Sequence, residues 1–166
     1  MSDVAVFDPE RLITVLTHHR VKFVLIGALA ARLHGFPRLT ADADITPADD
    51  KPNLERLAAA LKDLDAKIYT ESVPEGLAFD RSAAALGRAT MWNLVTSAGR
   101  LDLAFLPAGT KGYEDLAKDA ERFEAFGVQF LAASLDDIIR SKSATGRAKD
   151  ENDVVILRAL KKEKRK

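Results

Sequence analysis

Cysteine is absent from this chain. Its absence excludes disulfides and thiolate metal sites, and it fits a reducing interior. Net charge is absent as well. The 25 basic residues balance 25 acidic ones, so bulk charge announces no nucleic-acid partner, and any such attraction has to come from local patches. No apolar run is long enough to cross a bilayer. The opening MSDVAVFDPE is acidic and lacks the pattern of a secretory signal, so a cytoplasmic location and no membrane partner are expected. What is present is a globular composition: 166 residues, 47% hydrophobic and 30% charged. With no internal repeat or low-complexity linker, a single domain over residues 1–166 is expected. Its core should cover about residues 8–131 and its C-terminal helices about 134–160, followed by a basic tail, KKEKRK at 161–166, whose plain reading is a frayed, solvated end.

The local signals alternate in type. Asp8-Pro9 caps a helix carrying Leu12, Ile13 and Leu16, which ends near His19. VKFVLI at 21–26 reads as a buried strand ended by Gly27, and ALAARLH as a short helix stopped by Gly35 and Pro37. A strand over 40–46 and a helix LERLAAALKDL follow, then a short edge strand at 66–70. Residues 71–89 read as loop with a helical turn or two. TMWNLVTS and RLDLAFL form a hairpin around Ala98-Gly99, with Trp92 and Phe105 as core. A short helix at 109–120 and a pair of short strands at 122–131 come next. Ser134 then caps LDDIIRSKSAT, and a last helix runs from about Lys149 to Leu160. The order implies an α+β fold: a small mixed sheet flanked by helices, with a helical C-terminus.

Within GFPRLTADADIT, Asp42 and Asp44 are separated by one residue on a strand, so both carboxylates share a face. Two carboxylates that close repel and hold protons unless a cation lies between them, and a hard divalent ion such as Mg²⁺, or Mn²⁺ in its place, removes that cost. The plain alternative is a solvated acidic strand end. Asp102 sits between Leu101 and Leu103 in an otherwise apolar strand. A charge there needs a partner: an ion pair with Arg81, Arg88 or Arg100, or a place beside Asp42 and Asp44 in a three-carboxylate metal site suited to in-line displacement at phosphorus. Gly27, between strand and helix, offers backbone N–H groups to an anion.

The stretch IGALAARLHGFPRLTADADI resembles the signature of the nucleotidyltransferase superfamily with the DNA polymerase β-like fold: a strand, Gly followed by Gly or Ser, a helix, then a strand bearing DxD. The HG, Pro-Arg and Thr-x-Asp-x-Asp details, with RAKDEND at Arg147 to Asp153, are similar to the AbiEii-type and MenT-type toxins of toxin–antitoxin systems. The resemblance implies that Asp42, Asp44 and Asp102 bind Mg²⁺, with Asp102 also serving the acceptor hydroxyl. It makes Thr40 a hydroxyl position and Lys142 a catalytic lysine on the nucleotide phosphates. Arg147, Lys149, Asp150 and Asp153 become its C-terminal motif. Gly27 and Ala28 then match the Gly-Gly or Gly-Ser pair, but Ala28 carries no hydroxyl, so Arg38, Lys142 or Arg147 would share the work of nucleotide binding.

The implied activity is transfer of a nucleotidyl group from an NTP to a hydroxyl, with RNA (the tRNA 3′ end) as acceptor and a cognate antitoxin as partner. Other readings stay open: the same chemistry on a small molecule or a protein hydroxyl, and a catalytically weak protein of this fold that binds a partner. The plain readings of single residues also stand. Lys142 could be a surface lysine, Lys149–Asp153 a solvated helix pair, Arg38 a carboxylate's partner and His34 a helix-end residue.

Overall fold

The computed structural model describes residues 5–165. The chain enters through α1 (Pro9–His18), whose N-cap Asp8 accepts the Arg11 amide at 3.1 Å and whose Leu12, Ile13 and Leu16 are buried. β1 (Phe23–Ile26) passes directly into α2 (Gly27–Leu33). β2 (Asp42–Pro47), α3 (Lys51–Asp63) and β3 (Lys67–Ile68) follow, then α4 (Ala83–Leu86) and the hairpin β4 (Met91–Thr96) and β5 (Gly99–Ala104). α5 (Tyr113–Asp119), the hairpin β6 (Glu121–Ala125) and β7 (Val128–Ala132), α6 (Leu135–Thr145) and α7 (Ala148–Lys164) complete the order.

All seven strands join one sheet, in the order β3-β4-β5-β2-β1-β7-β6. β1 runs antiparallel to β2 and parallel to β7, while β2 runs parallel to β5. This is the mixed α+β architecture expected. β1 is central and buried, which is why it reads as an unbroken apolar run rather than an alternating one. Leu25, Ile45, Leu101, Leu103 and Leu94 are at most 1% exposed, and they share one core with Leu12, Leu16, Leu57 and Leu61 of α1 and α3. Each such side chain contributes roughly 1.5–3 kcal/mol by leaving water. Asn53 ties the start of α3 to the sheet: buried, it bonds the Lys22 amide and carbonyl and the Ala48 carbonyl.

Element boundaries differ from expectation at informative places. β2 starts at Asp42, so Thr40 precedes the strand. α5 starts at Tyr113, because Gly112 adopts φ 92 and cannot extend a helix. α3 begins three residues earlier than expected, capped by Asp50 through the Asn53 amide. The tail is corrected most. α7 continues to Lys164, Lys161 pairs with Asp136, and Lys164 Nζ lies 2.8 Å from His34 Nδ1. Residues 161–164 are therefore helix held against the body, not a frayed end, while Lys166 lies outside the described residues.

Candidate active site

The register of β2 on β5 sets Asp44 opposite Asp102 and Asp42 opposite Arg100. Facing residues share a side of the sheet, so all three carboxylates emerge on one face. The interleaved Ala43, Ile45, Leu101 and Leu103 fill the other face and are buried. The expected meeting of Asp102 with the Asp42–Asp44 pair is present. So is the plain alternative: Arg100 Nη2 stands 3.3 Å from Asp102 Oδ1, and its guanidinium lies 3.6 Å from the centre of the Tyr69 ring. Arg81 instead pairs with Asp65.

Proximity has an electrostatic cost. Burial, then the charges of Asp42 and Asp102, push the Asp44 carboxyl up to about 7. Burial also raises Asp102, with Arg100 pulling against the rise and Asp42 adding to it. The interaction between the two carboxyls adds to the rise of Asp44 and works against that of Asp102. Asp42 is held differently, by the Thr40 hydroxyl at 3.3 Å from its Oδ1. This donor set, crowded and short of positive charge, fits a hard divalent cation by its chemistry. Among the described residues, however, no group of three or more His, Cys, Asp or Glu side chains is already gathered as for an ion. The carboxylates would have to turn from Thr40 and Arg100 to close on one.

Gly27 abuts this cluster. Its φ is 68°, and a β-carbon there would stand 2.4 Å from Asp44 Oδ2. No side chain caps the N-terminus of α2, so its first amides remain available. A cleft of about 310 Å³ opens at this point. Asp44, Ile26 and Gly27 form one side, and Lys142, Arg147 and Asp150 the other. Met91, Leu116 and Ile138 add apolar lining, which no pattern in the sequence assigned to a site.

The C-terminal motif is an ion network. Lys142 Nζ bridges Asp150 at 3.5 Å and Asp153 at 3.2 Å. Arg38 grips Asp153 through both terminal nitrogens, at 2.6 and 3.1 Å. Arg147 Nε meets Asp150 at 2.7 Å, and Thr145, which no sequence motif singled out, donates to the same carboxylate. Burial works against the Asp150 charge, but hydrogen bonds from Thr145 and Arg147 and the charge of Lys142 hold it below the usual range. Both aspartates are at most 1% exposed. Three cations thus meet two carboxylates in this network, and Asp137, paired with Arg140, also lines the cleft.

Lys142, Arg147 and Asp150 thus reach the cleft, whereas Arg38 and Asp153 brace the network from behind. Ala28 lies half-buried in the first turn of α2. Lys149 is exposed and has no ion pair with Asp153, whose partners are Arg38 and Lys142. Arg140, two residues before Lys142, does not join it in a basic surface cluster. Arg140 is spent on Asp115 and Asp137, and Lys142 on Asp150 and Asp153, so neither is a free charge on the surface. His34, given no role, is buried, with Nε2 donating to the Ala133 carbonyl at 2.9 Å.

No protein-family model and no curated protein matches the sequence. Solved structures do match. The lincosamide antibiotic adenylyltransferase LnuA, with lincomycin bound, superposes with a TM-score of 0.58 at 15% identity, over 93% of this chain and 99% of that one. A Thermotoga maritima protein assigned as a nucleotidyltransferase, TM1012, superposes with a TM-score of 0.51 at 17% identity, over 96% of this chain and 97% of that one. The chain therefore has the fold of these nucleotidyltransferases.

Proposed function

We propose that this protein is a nucleotidyltransferase that moves a nucleotidyl group from an NTP to a hydroxyl, with a divalent cation, Mg²⁺ or Mn²⁺, as cofactor. The observation that carries the reading is the pairing of Asp44 with Asp102 on the face of Asp42, beside a cleft whose far wall holds Lys142 and Arg147. The shared fold supports it.

Asp42, Asp44 and Asp102 would hold the cation, which when bound offsets phosphate charge and polarises the phosphoryl oxygens. Lys142 and Arg147 take the triphosphate on the opposite wall, with the free amides after Gly27 beside it. Asp150 and Asp153 fix the Lys142 ammonium so that little side-chain entropy is lost on binding. The acceptor hydroxyl attacks the α-phosphorus. Its proton passes to Asp102, a new O–P bond forms, and the bond to pyrophosphate breaks.

We infer RNA, the tRNA 3′ end, as the acceptor, a toxin role and a cognate antitoxin from the likeness of the Thr40–Asp44 and Arg147–Asp153 stretches to toxin motifs. The small-molecule reading has an observation of its own: the match to an antibiotic adenylyltransferase runs nearly the full length of both chains. Incubation with each α-labelled NTP, Mg²⁺ or Mn²⁺, and either total RNA or a panel of hydroxyl-bearing small molecules separates the two. Label in RNA supports the first reading, and label only in small molecules replaces it with the second. No label in any acceptor, with tight binding of a partner protein, rejects transfer altogether.

A further inference from the structure

A second cavity, of about 210 Å³, lies at the foot of β1 and β7. Asp44 and Gly27 are at the other end of these strands, four residues from Phe23 and so about 13 Å along β1. Arg20, Lys22 and Arg122 line the cavity, with Thr17, Tyr113 and Gln129. Unlike the cations of the cleft, these are not spent. Among the described residues, Arg20 and Lys22 form no ion pair, and Arg122 bonds only the neutral Gln129 side chain, at 3.2 Å. Glu124, opposite Gln129 in the β6–β7 ladder, is the nearest carboxylate in register. Glu114 and Asp50 act on the Tyr113 side. None of these acids lines the pocket, whose charged lining is Arg20, Lys22 and Arg122.

Arg20 is the informative residue. It follows α1 in the left-handed region, with φ 59°, as its amide and that of Val21 close the helix end on Thr17 and Leu16. Glycine is the residue that takes this position without penalty, and a side chain here carries a cost. The chain keeps a long cation there and turns it onto a pocket with two more. At about 210 Å³ the cavity falls below the roughly 300–1,000 Å³ of sites for whole small ligands. It suits one anionic group of a larger molecule.

We infer that this pocket is a phosphodiester-binding site that anchors the backbone of a single-stranded polynucleotide. The choice of polynucleotide rests on the RNA acceptor of the proposed function. Arg20 and Arg122 supply charge and directional N–H donors, Lys22 supplies charge, and the Tyr113 hydroxyl adds a further donor, while the Thr17 hydroxyl is already spent on the Ile13 carbonyl. The site fixes where the acceptor lies and takes no part in the chemistry.

The test compares wild type with Arg20→Gly, Arg122→Gln and the double variant, binding a short 5′-labelled oligoribonucleotide across a salt series, with NTP affinity and thermal melting measured in parallel. The double variant should bind the oligonucleotide about tenfold more weakly, with a salt slope shallower by about 0.7 for each phosphate that is no longer neutralised. NTP affinity should not change. Arg20→Gly should melt at or above the wild-type temperature, by up to about 4 °C, which separates weakened binding from impaired folding. Binding of inorganic phosphate that is lost in the double variant, with no oligonucleotide binding by wild type, would assign the pocket to a free anion and overturn the polynucleotide site. Oligonucleotide binding that is equal in all four proteins overturns the pocket's role. If wild type binds no oligonucleotide but still labels a small molecule, the site falls while nucleotidyl transfer stands.

Discussion

Gly27 and Asp44 pack so closely that a β-carbon at 27 would stand 2.4 Å from the Asp44 carboxylate oxygen, so any other residue there must displace that side chain. The left-handed backbone of Gly27, φ 68°, adds a second reason for glycine there. The loop that presents amides to the cleft and the carboxylate that faces them are thus one packed unit. Gly27→Ala should lower stability by roughly 1–3 kcal/mol, and it should abolish transfer by displacing Asp44. Thermal melting and a labelling assay check this. An active, wild-type-stable alanine variant would show that the close approach is not needed.

Asp44 makes stability depend on pH. Its folded-state value, about 7, lies above its ordinary 3.8. Between the two the folded chain holds a proton that the unfolded chain has released, so stability falls as pH rises. The contribution is complete below about 3.8 and lost as pH rises through about 7. Asp44→Asn cannot ionise. In chelator it should exceed wild type by roughly 1–3 kcal/mol near pH 8, allowing for partial solvation. That advantage should vanish by about pH 4. Mg²⁺ should narrow the gap at high pH by stabilising wild type alone. Melts across this range decide it, and a gap independent of pH would mean that Asp44 is not strained by its neighbours.

Lys142 is not an ordinary surface lysine, since its side chain is 17% exposed and bridges Asp150 and Asp153. Lys142→Ala should therefore cost roughly 1–2 kcal/mol of stability in addition to weakening NTP binding. Asp153→Asn, which leaves Arg38 and Lys142 short of a counter-charge, should cost on the order of 3 kcal/mol. Urea denaturation gives the first quantity and nucleotide titration the second. If Lys142→Ala left both unchanged, the lysine would have neither role.

The C-terminal segment carries structure as well as charge. Removing residues 161–166 deletes the Lys161–Asp136 pair and the Lys164–His34 hydrogen bond. It should lower the melting temperature by a few degrees, about what a loss of 1 kcal/mol gives in a domain of this size. Weaker RNA binding after truncation would thus not be purely electrostatic. Lys162→Gln, at an exposed site, is the cleaner probe of charge. A truncated chain that melts like wild type would return the segment to a loose tail.

The elements and the carboxylate row were legible because they follow from local rules. Alternation put Asp42 and Asp44 on one face, and the Leu101-Asp102-Leu103 pattern marked Asp102 as a polar residue facing away from the core. The strand order that places Asp102 beside Asp44 was not legible from periodicity, because pairing is non-local. Nor did the sequence show that Arg140 and Lys142 are neutralised, since their partners Asp115 and Asp153 lie 25 and 11 positions away. A cation counts as a surface patch only when no carboxylate folds back onto it. Arg20, Lys22 and Arg122 meet that condition and form no motif, because Arg122 is far from the other two in sequence and reaches them only through the pairing of β6 with β7 and of β7 with β1.

The sharpest measurement is nucleotide transfer from α-labelled NTPs in the presence of Mg²⁺ by wild type, Asp42→Asn, Asp44→Asn and Asp102→Asn, each first shown to fold. Label should appear on an acceptor hydroxyl with wild type and fall by at least about a thousandfold in every variant, since all three carboxylates serve one centre. Wild-type-like labelling by any one of them would contradict a shared centre, and Asp102→Asn is the most demanding case, because its place depends wholly on the pairing of β2 with β5.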